Sequence, residues 1–317
     1  MADLKRTLQP GRWLDLKRLF GLIICLPMLV APLSAATLAV LYPEAPPPYK
    51  QVFDQIVDGI DERHADRLIR YPLETRYNPE QVLAQLDRDQ VDMVITLGRR
   101  GYSLINDING HYPFVSGALP LTPNGTLSGV SLITDPDNLF SQLNVLSPVT
   151  KRVFVLYTAK SRWMVELAKV SAKKKGLELW AYEVNTLSDA VRKYEEVLDN
   201  ARNGSDAIWL PLDKVTANET VILPMLLREA WDRRLVMFSS KPSHVKRGAL
   251  FSIYPNNQQS GERLAEMVKE LFSGKTMPGV EPSRSLHLGV NLRTAVHLGM
   301  EYSPTLTRSF YRTFPQP

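Results

Sequence analysis

The sequence predicts an α/β fold built on parallel sheets. Three observations point there: strand–helix alternation across residues 150–213, the same alternation earlier in the chain, and a length that fills one large domain or two lobes. The first is the most explicit. Val153, Phe154, Val155, Leu156 and Tyr157 form an apolar run of the kind that suits a strand buried on both faces. A helix should follow over SRWMVELAKVSAKKKG, with Ser161 as cap, Met164, Leu167, Ala168 and Ser171 on one stripe, and Gly176 as the stop. LELWAYEV reads as a second strand, residues 187–200 as a helix, and DAIWLPLD as a third strand. Such β-α-β-α-β units pack by right-handed crossovers, and ligands bind beyond the carboxyl ends of their strands, here near Thr158 and Asp213.

The first 36 residues read as a separate object. Lys5, Arg6, Arg12, Lys17 and Arg18 precede an uncharged run over residues 19–36 that ends in Ser34-Ala35-Ala36. A basic head, an apolar middle and small residues at the end describe a secretory signal peptide, so the expected location is the periplasm. An uncleaved anchor is the rival, weakened by Pro27 and Pro32. The single cysteine, Cys25, lies inside this stretch behind the bulky Ile24, which argues against lipidation. Without the leader the chain holds 33 basic and 31 acidic residues, a net of +2. The basic balance is therefore partly a targeting signal, and no nucleic-acid partner is expected. A mature chain without cysteine must be held by its core alone.

The remaining elements follow in order. Leu38 to Tyr42 is a buried-type strand, residues 43–48 a proline-rich loop, and Val52, Phe53, Ile56, Val57 and Ile60 one face of a helix. Asn78 caps the next helix and Pro79 occupies its first turn. VDMVITLG is a strand ending on Gly98, and YPFVSGALP a strand ending at Ser116-Gly117. PLTPNGTLSG has loop chemistry, and Asp135-Pro136-Asp137-Asn138 starts the helix that leads into the second half. Beyond Asp213 come an amphipathic stretch with an internal Pro224, a strand at RLVMFSS, another apolar run at ALFSIYPN, a helix over QQSGERLAEMVKELFSGK, and a closing strand and short helix.

An enzyme is not expected. The histidines (His64, His111, His244, His287 and His297) are scattered, with no His-Glu-x-x-His pair, nucleophile elbow, phosphate loop or dinucleotide-binding glycine pattern. No cofactor or metal is expected either.

Taken together, KRVFVLY, KKKGLEL, SDAIWLPLD, RRLVMFSS, VKRGALFS, SGERLAEMVKELFSGK and GVNLRTAVHLGM resemble the substrate-binding proteins of ABC transporters, in the group related to aromatic amino-acid binders. VDMVITLG, YPFVSGAL and NGTLSGVS match in order in the first half. The resemblance implies the periplasmic binding protein type I fold, two Rossmann-like lobes with parallel sheets joined by a hinge that close on a ligand like a flytrap. It places one lobe at residues 37–147, with about 253–280 returning to it, and the other at 148–252 with about 281–317. It implies a monomer that delivers a small organic molecule, amino-acid-like or another anionic solute, to a membrane permease, or alternatively presents it to a membrane sensor.

Carried over by position, the implied site comprises Tyr42, Gly98, Arg99, Arg100, Ser116 and Gly117 from the first lobe. The second lobe adds Thr158, Ser161, Trp163, Asp213, Ser239 and Ser240. Trp163 would stack on an apolar ligand or pack against its own lobe. Asp213 would meet a cationic group or cap the helix expected near Val215. Arg99, Arg100, Lys214 and Lys241 depart from what the resemblance implies, and two arginines directly after a buried strand suit carboxylate or phosphate recognition.

Overall fold

A computed structural model describes residues 36–64, 67–276 and 279–315. The leader expected at 1–36 lies outside the described residues except for Ala36. Among those described, no helix is long and apolar enough to cross a membrane.

The chain starts with β1 (Leu38–Pro43), α1 (Tyr49–Arg63), β2 (Leu68–Leu73), α2 (Pro79–Arg88) and β3 (Met93–Leu97). Short helices α3 (Gly98–Ser103) and α4 (Ile105–Ile108) lead to β4 (Phe114–Leu119) and β5 (Gly129–Thr134). After α5 (Pro136–Leu146) come β6 (Arg152–Tyr157), α6 (Arg162–Lys174), β7 (Glu178–Glu183), α7 (Leu187–Asn200) and β8 (Asp206–Leu210). Then follow α8 (Ile222–Asp232), β9 (Val236–Ser239), α9 (Pro242–Arg247), β10 (Phe251–Pro255) and α10 (Asn257–Phe272). The chain closes with β11 (Val280–Ser283), β12 (Leu286–Asn291), α11 (Leu292–His297), α12 (Pro304–Arg308) and β13 (Arg312–Phe314).

Two sheets result. One has the order β11-β5-β4-β3-β1-β2 and the other β13-β12-β10-β9-β8-β6-β7, with β12 antiparallel to β10. The apolar runs of the sequence explain why each sheet is covered on both faces. Leu38 and Val40 of β1 enter one core with α1 and α10, while Ala39 and Leu41 enter the opposite one. In the second sheet Val153, Val155 and Tyr157 of β6 face α5 and α6, and Phe154 and Leu156 face α7 and α8.

The chain crosses between sheets three times, at residues 134–136, 255–257 and 283–286. The crossings are bonded to one another: Asp135 N donates to Ser283 O at 2.9 Å and Asn256 N to Ser285 O at 2.9 Å. The chain thus leaves the seven-stranded sheet after Pro255 and rejoins it at Leu286, since β11 extends the six-stranded sheet to Ser283.

Local signals set the helix starts. Asn78 Oδ1 accepts from Glu80 N and Asp135 Oδ1 from Asp137 N, each at 2.9 Å, with Pro79 and Pro136 in the first turns. Pro224 is tolerated because α8 begins only at Ile222, so it too falls in a first turn. Four strands were not expected: β2, β5, β11 and β13. β2 is an edge strand in which Pro72 pairs in register with Tyr42, a position open to proline only at an edge. β5 follows directly on the loop-like PLTPNGTLS.

Candidate functional site

A cleft of about 870 Å³ opens between the two sheets, at the carboxyl ends of β3, β4, β6 and β8. From the six-stranded side Arg99, Pro120, Leu132 and Ile133 line it. From the other side come the loop after β6 with Thr158, Lys160 and Ser161, Asn185 after β7, and residues 211–219 after β8, with Lys241 after β9. Of the residues expected from sequence, Arg99, Thr158, Ser161 and Asp213 lie together here.

Gly98 makes the turn from β3 into α3. Its φ of +65° suits glycine, and a Cβ there would sit 3.0 Å from Phe53 and Pro43. The helix then points its two arginines differently, as successive helical residues must. Arg99 is exposed, lines the cleft, and has no hydrogen bond or ion pair among the described residues. Arg100 does not line it. Its Nη1 donates to Glu44 O at 2.7 Å and Leu73 O at 2.8 Å, and its Nη2 to Thr75 Oγ1 at 2.8 Å, which ties the ends of β1 and β2 to α3. Arg100→Ala is therefore expected to lower stability by about 1–2 kcal/mol while leaving the cleft's charge intact; thermal melts of the empty protein check it.

Asp213 is the hub of the opposite wall. Its Oδ2 accepts from Thr158 N (3.1 Å), Thr158 Oγ1 (2.6 Å) and Ser161 Oγ (2.9 Å), and its Oδ1 from Val215 N (2.9 Å) and Thr216 N (3.1 Å). Burial pushes this carboxyl up, but the hydrogen bonds outweigh it and hold the net shift below the ordinary value. No helix starts at Val215: Asp213 caps an isolated turn, and α8 begins seven residues later, at Ile222. Ser161 does not cap α6 either, because its hydroxyl is turned to Asp213.

The other expected residues serve the fold. Tyr42 packs partly buried with the α1–α10 core. Ser116 Oγ pairs with Thr96 Oγ1 at 2.6 Å inside the sheet. Gly117 lies under α10, where a Cβ would come within 2.5 Å of Leu264. The strand does not stop at those two residues. It runs on to Leu119 through an irregular register, with Ala118 at φ 57°, so Pro120 reaches the cleft in their place. Trp163 packs against a core of each sheet, which makes it an interlobe contact. Ser240 Oγ accepts from Trp209 Nε1 at 3.1 Å, and Ser239 Oγ sits 2.8 Å from His244 Nδ1 and 3.2 Å from Leu210 O.

One pair was not visible in sequence. Glu219 and Lys241, from different loops, form an ion pair on the cleft wall, and the Lys241 bond holds the Glu219 carboxyl below its ordinary value. Behind them His244 is fully buried, its Nε2 3.9 Å from Glu219 Oε1. Burial, aided by Lys241, holds its imidazole down at about 4, against an ordinary 6.5. Between those values the unfolded chain binds a proton that the folded chain refuses, so stability falls as pH drops from about 6.5 to 4. Unfolding midpoints across that range should show this slope, and His244→Gln should flatten it.

Arg99, Lys160 and Lys214 are thus exposed cations on the cleft with no ion pair among the described residues. Both cleft carboxylates are already satisfied, Asp213 by five donors and Glu219 by Lys241. Apolar surface comes from Pro120, Leu132, Ile133, Pro211 and Leu212, among others.

Comparisons with known proteins give the family and the fold. The family model for ABC transporter substrate binding proteins matches residues 81–311. A tyrosine-binding protein of Clostridioides difficile (strain R20291) is 22% identical over 158 residues, 49% of this chain and 44% of that protein, so the chain spans less than half of that relative's length. Among solved structures, a ligand-free, open substrate-binding protein with adhesive properties from Clostridium difficile is similar with a TM-score of 0.63 at 15% identity, covering 88% of this chain and 100% of that one. An ABC domain in complex with L-Trp from Streptococcus pneumonia gives a TM-score of 0.55 at 18% identity, covering 89% and 100%. The fold is that of the type I periplasmic binding proteins, and the chain belongs to the ABC transporter substrate-binding proteins.

Proposed function

We propose that the protein binds a small organic anion with an apolar body in the interlobe cleft, acts in the periplasm, and hands its ligand to a membrane permease without chemical change. The observation that carries this reading is the charge pattern of the cleft. Arg99, Lys160 and Lys214 face it without a carboxylate partner, while the Asp213 carboxylate is saturated by hydrogen-bond donors of its own lobe and Glu219 is paired with Lys241. A carboxylate entering this cleft gains charge-assisted bonds, and its carbon skeleton covers the proline and leucine surface. The tyrosine- and tryptophan-binding relatives suggest an amino-acid-like carboxylate as the first class to try, although an ammonium group would find no free acid here.

Native mass spectrometry of protein purified from its own organism without denaturation tests the reading. The expected result is a mature chain starting near Thr37 that carries one small molecule with an acidic group. A neutral or purely cationic passenger would contradict it.

A further inference from the structure

The lobe built on the seven-stranded sheet carries a second cavity of about 910 Å³ that shares no lining residue with the cleft. It lies among α8, α9, α11 and β13. Arg228, Lys246, Arg247, Arg293 and Arg312 line it against a single carboxylate, Asp232. Among the described residues only Arg228 of these five has an ion-pair partner, Glu229 at 3.4 Å. Arg247 donates to the Glu219 carbonyl at 3.2 Å, which orients its guanidinium without an ion pair among the described residues. Cations gathered this way repel one another, and a bound anion relieves that repulsion.

The cavity also has a fixed aromatic wall. Trp231, at the end of α8, is 38% exposed. It stacks on His297 with ring centroids 3.6 Å apart and planes 5° from parallel, and His297 Nε2 lies 2.8 Å from the Trp231 carbonyl oxygen. Arg293, one helical turn before His297 on α11, sets its guanidinium carbon 5.7 Å from the indole centroid. An exposed indole held on both its ring and its backbone loses little freedom when a flat group stacks on it.

We propose that this groove is a second ligand site, taking an anion that carries two or more phosphate or carboxylate groups together with a flat ring. The arginines supply planar, bidentate donors for the anionic groups, and Trp231 supplies the stacking face. Because the groove belongs to one lobe only, its occupancy does not require the cleft to close.

ADP and inorganic pyrophosphate are the probes, titrated calorimetrically into the whole protein. Both are expected to bind, and Arg293→Gln combined with Arg312→Gln should weaken both by at least about tenfold. Trp231→Leu should weaken ADP by about tenfold and leave pyrophosphate unchanged, since only ADP carries a base to stack on the indole. Arg99→Ala, in the cleft, should alter neither. Should Trp231→Leu fail to fold, as melting would reveal, the arginine pair and the preference for ADP over pyrophosphate decide. The proposal is overturned if neither probe binds, if binding disappears with Arg99→Ala instead, or if ADP and pyrophosphate respond alike to loss of the indole.

Discussion

Replacing Asp213 by alanine is expected to destabilise the protein by about 3 kcal/mol, the largest stability loss of any single change on the cleft wall. Two loops, after β6 and after β8, meet at this carboxylate, and its removal leaves five donors without a partner: Thr158 N and Oγ1, Ser161 Oγ, Val215 N and Thr216 N. A buried donor left unmet costs about 1–3 kcal/mol, and water reaching in from the open cleft satisfies some of the five, so the net loss stays near ~3 kcal/mol. Asp213→Asn retains an oxygen for Val215 and Thr216 but sets an amide against the other three donors, so it should lose about 2 kcal/mol. Acid acts on the same group. Its folded pKa is lowered, so its contribution is complete above the unfolded value near 3.8 and disappears as pH falls through the lower folded value. Asp206, fully buried beside Arg152, titrates in the same direction, since its bonds to Arg152 and Arg202 outweigh its desolvation. Denaturant midpoints of the two Asp213 variants at neutral pH, and of the parent below pH 4, measure these effects.

Arg99→Ala should weaken anion binding in the cleft by about ten- to over a hundredfold, while leaving the unfolding midpoint of the empty protein unchanged. A charge-assisted bond contributes roughly 1.5–3 kcal/mol, and that range corresponds to such a factor. Stability is spared because Arg99 makes no hydrogen bond or ion pair within the described residues. Arg100→Ala should do the reverse, lowering the midpoint with little change in affinity. Neighbours in sequence therefore separate cleanly in experiment. Equal loss of affinity in the two variants would mean that the loop acts through its shape and not through the charge of Arg99.

Much of this architecture was legible in the residues themselves. The uninterrupted apolar runs of β1 and β6 announced strands buried on both faces, and Asn78-Pro79 and Asp135-Pro136 marked helix starts that the structure bears out. β2 escaped notice because Pro72 argues against a strand, and only an edge position reconciles the two. The resemblance and the strand ends together led to Arg99, Thr158, Ser161 and Asp213, because strand ends in such sheets face the crevice. They misled at Ser116 and Gly117, where the positive φ of Ala118 carries β4 onward by an irregular turn that no local pattern announces. Arg100 could not be told from Arg99 without the helix that rotates them apart. Glu219 and Lys241 meet only through the packing of two loops 22 positions apart in the chain, so their pairing was invisible.

The cleft reading comes down to whether the ligand's acidic end suffices without an ammonium group. Titration calorimetry with L-Trp and indole-3-propionate, compounds that share a ring and a carboxylate and differ in the ammonium, isolates that question, and L-Tyr with 3-(4-hydroxyphenyl)propionate repeats it. The charge pattern predicts that the ammonium-free member of a pair binds at least as tightly as the amino acid, and that Arg99→Ala weakens it by tenfold or more. Binding of the amino acid alone, at an affinity indifferent to Arg99, would contradict it.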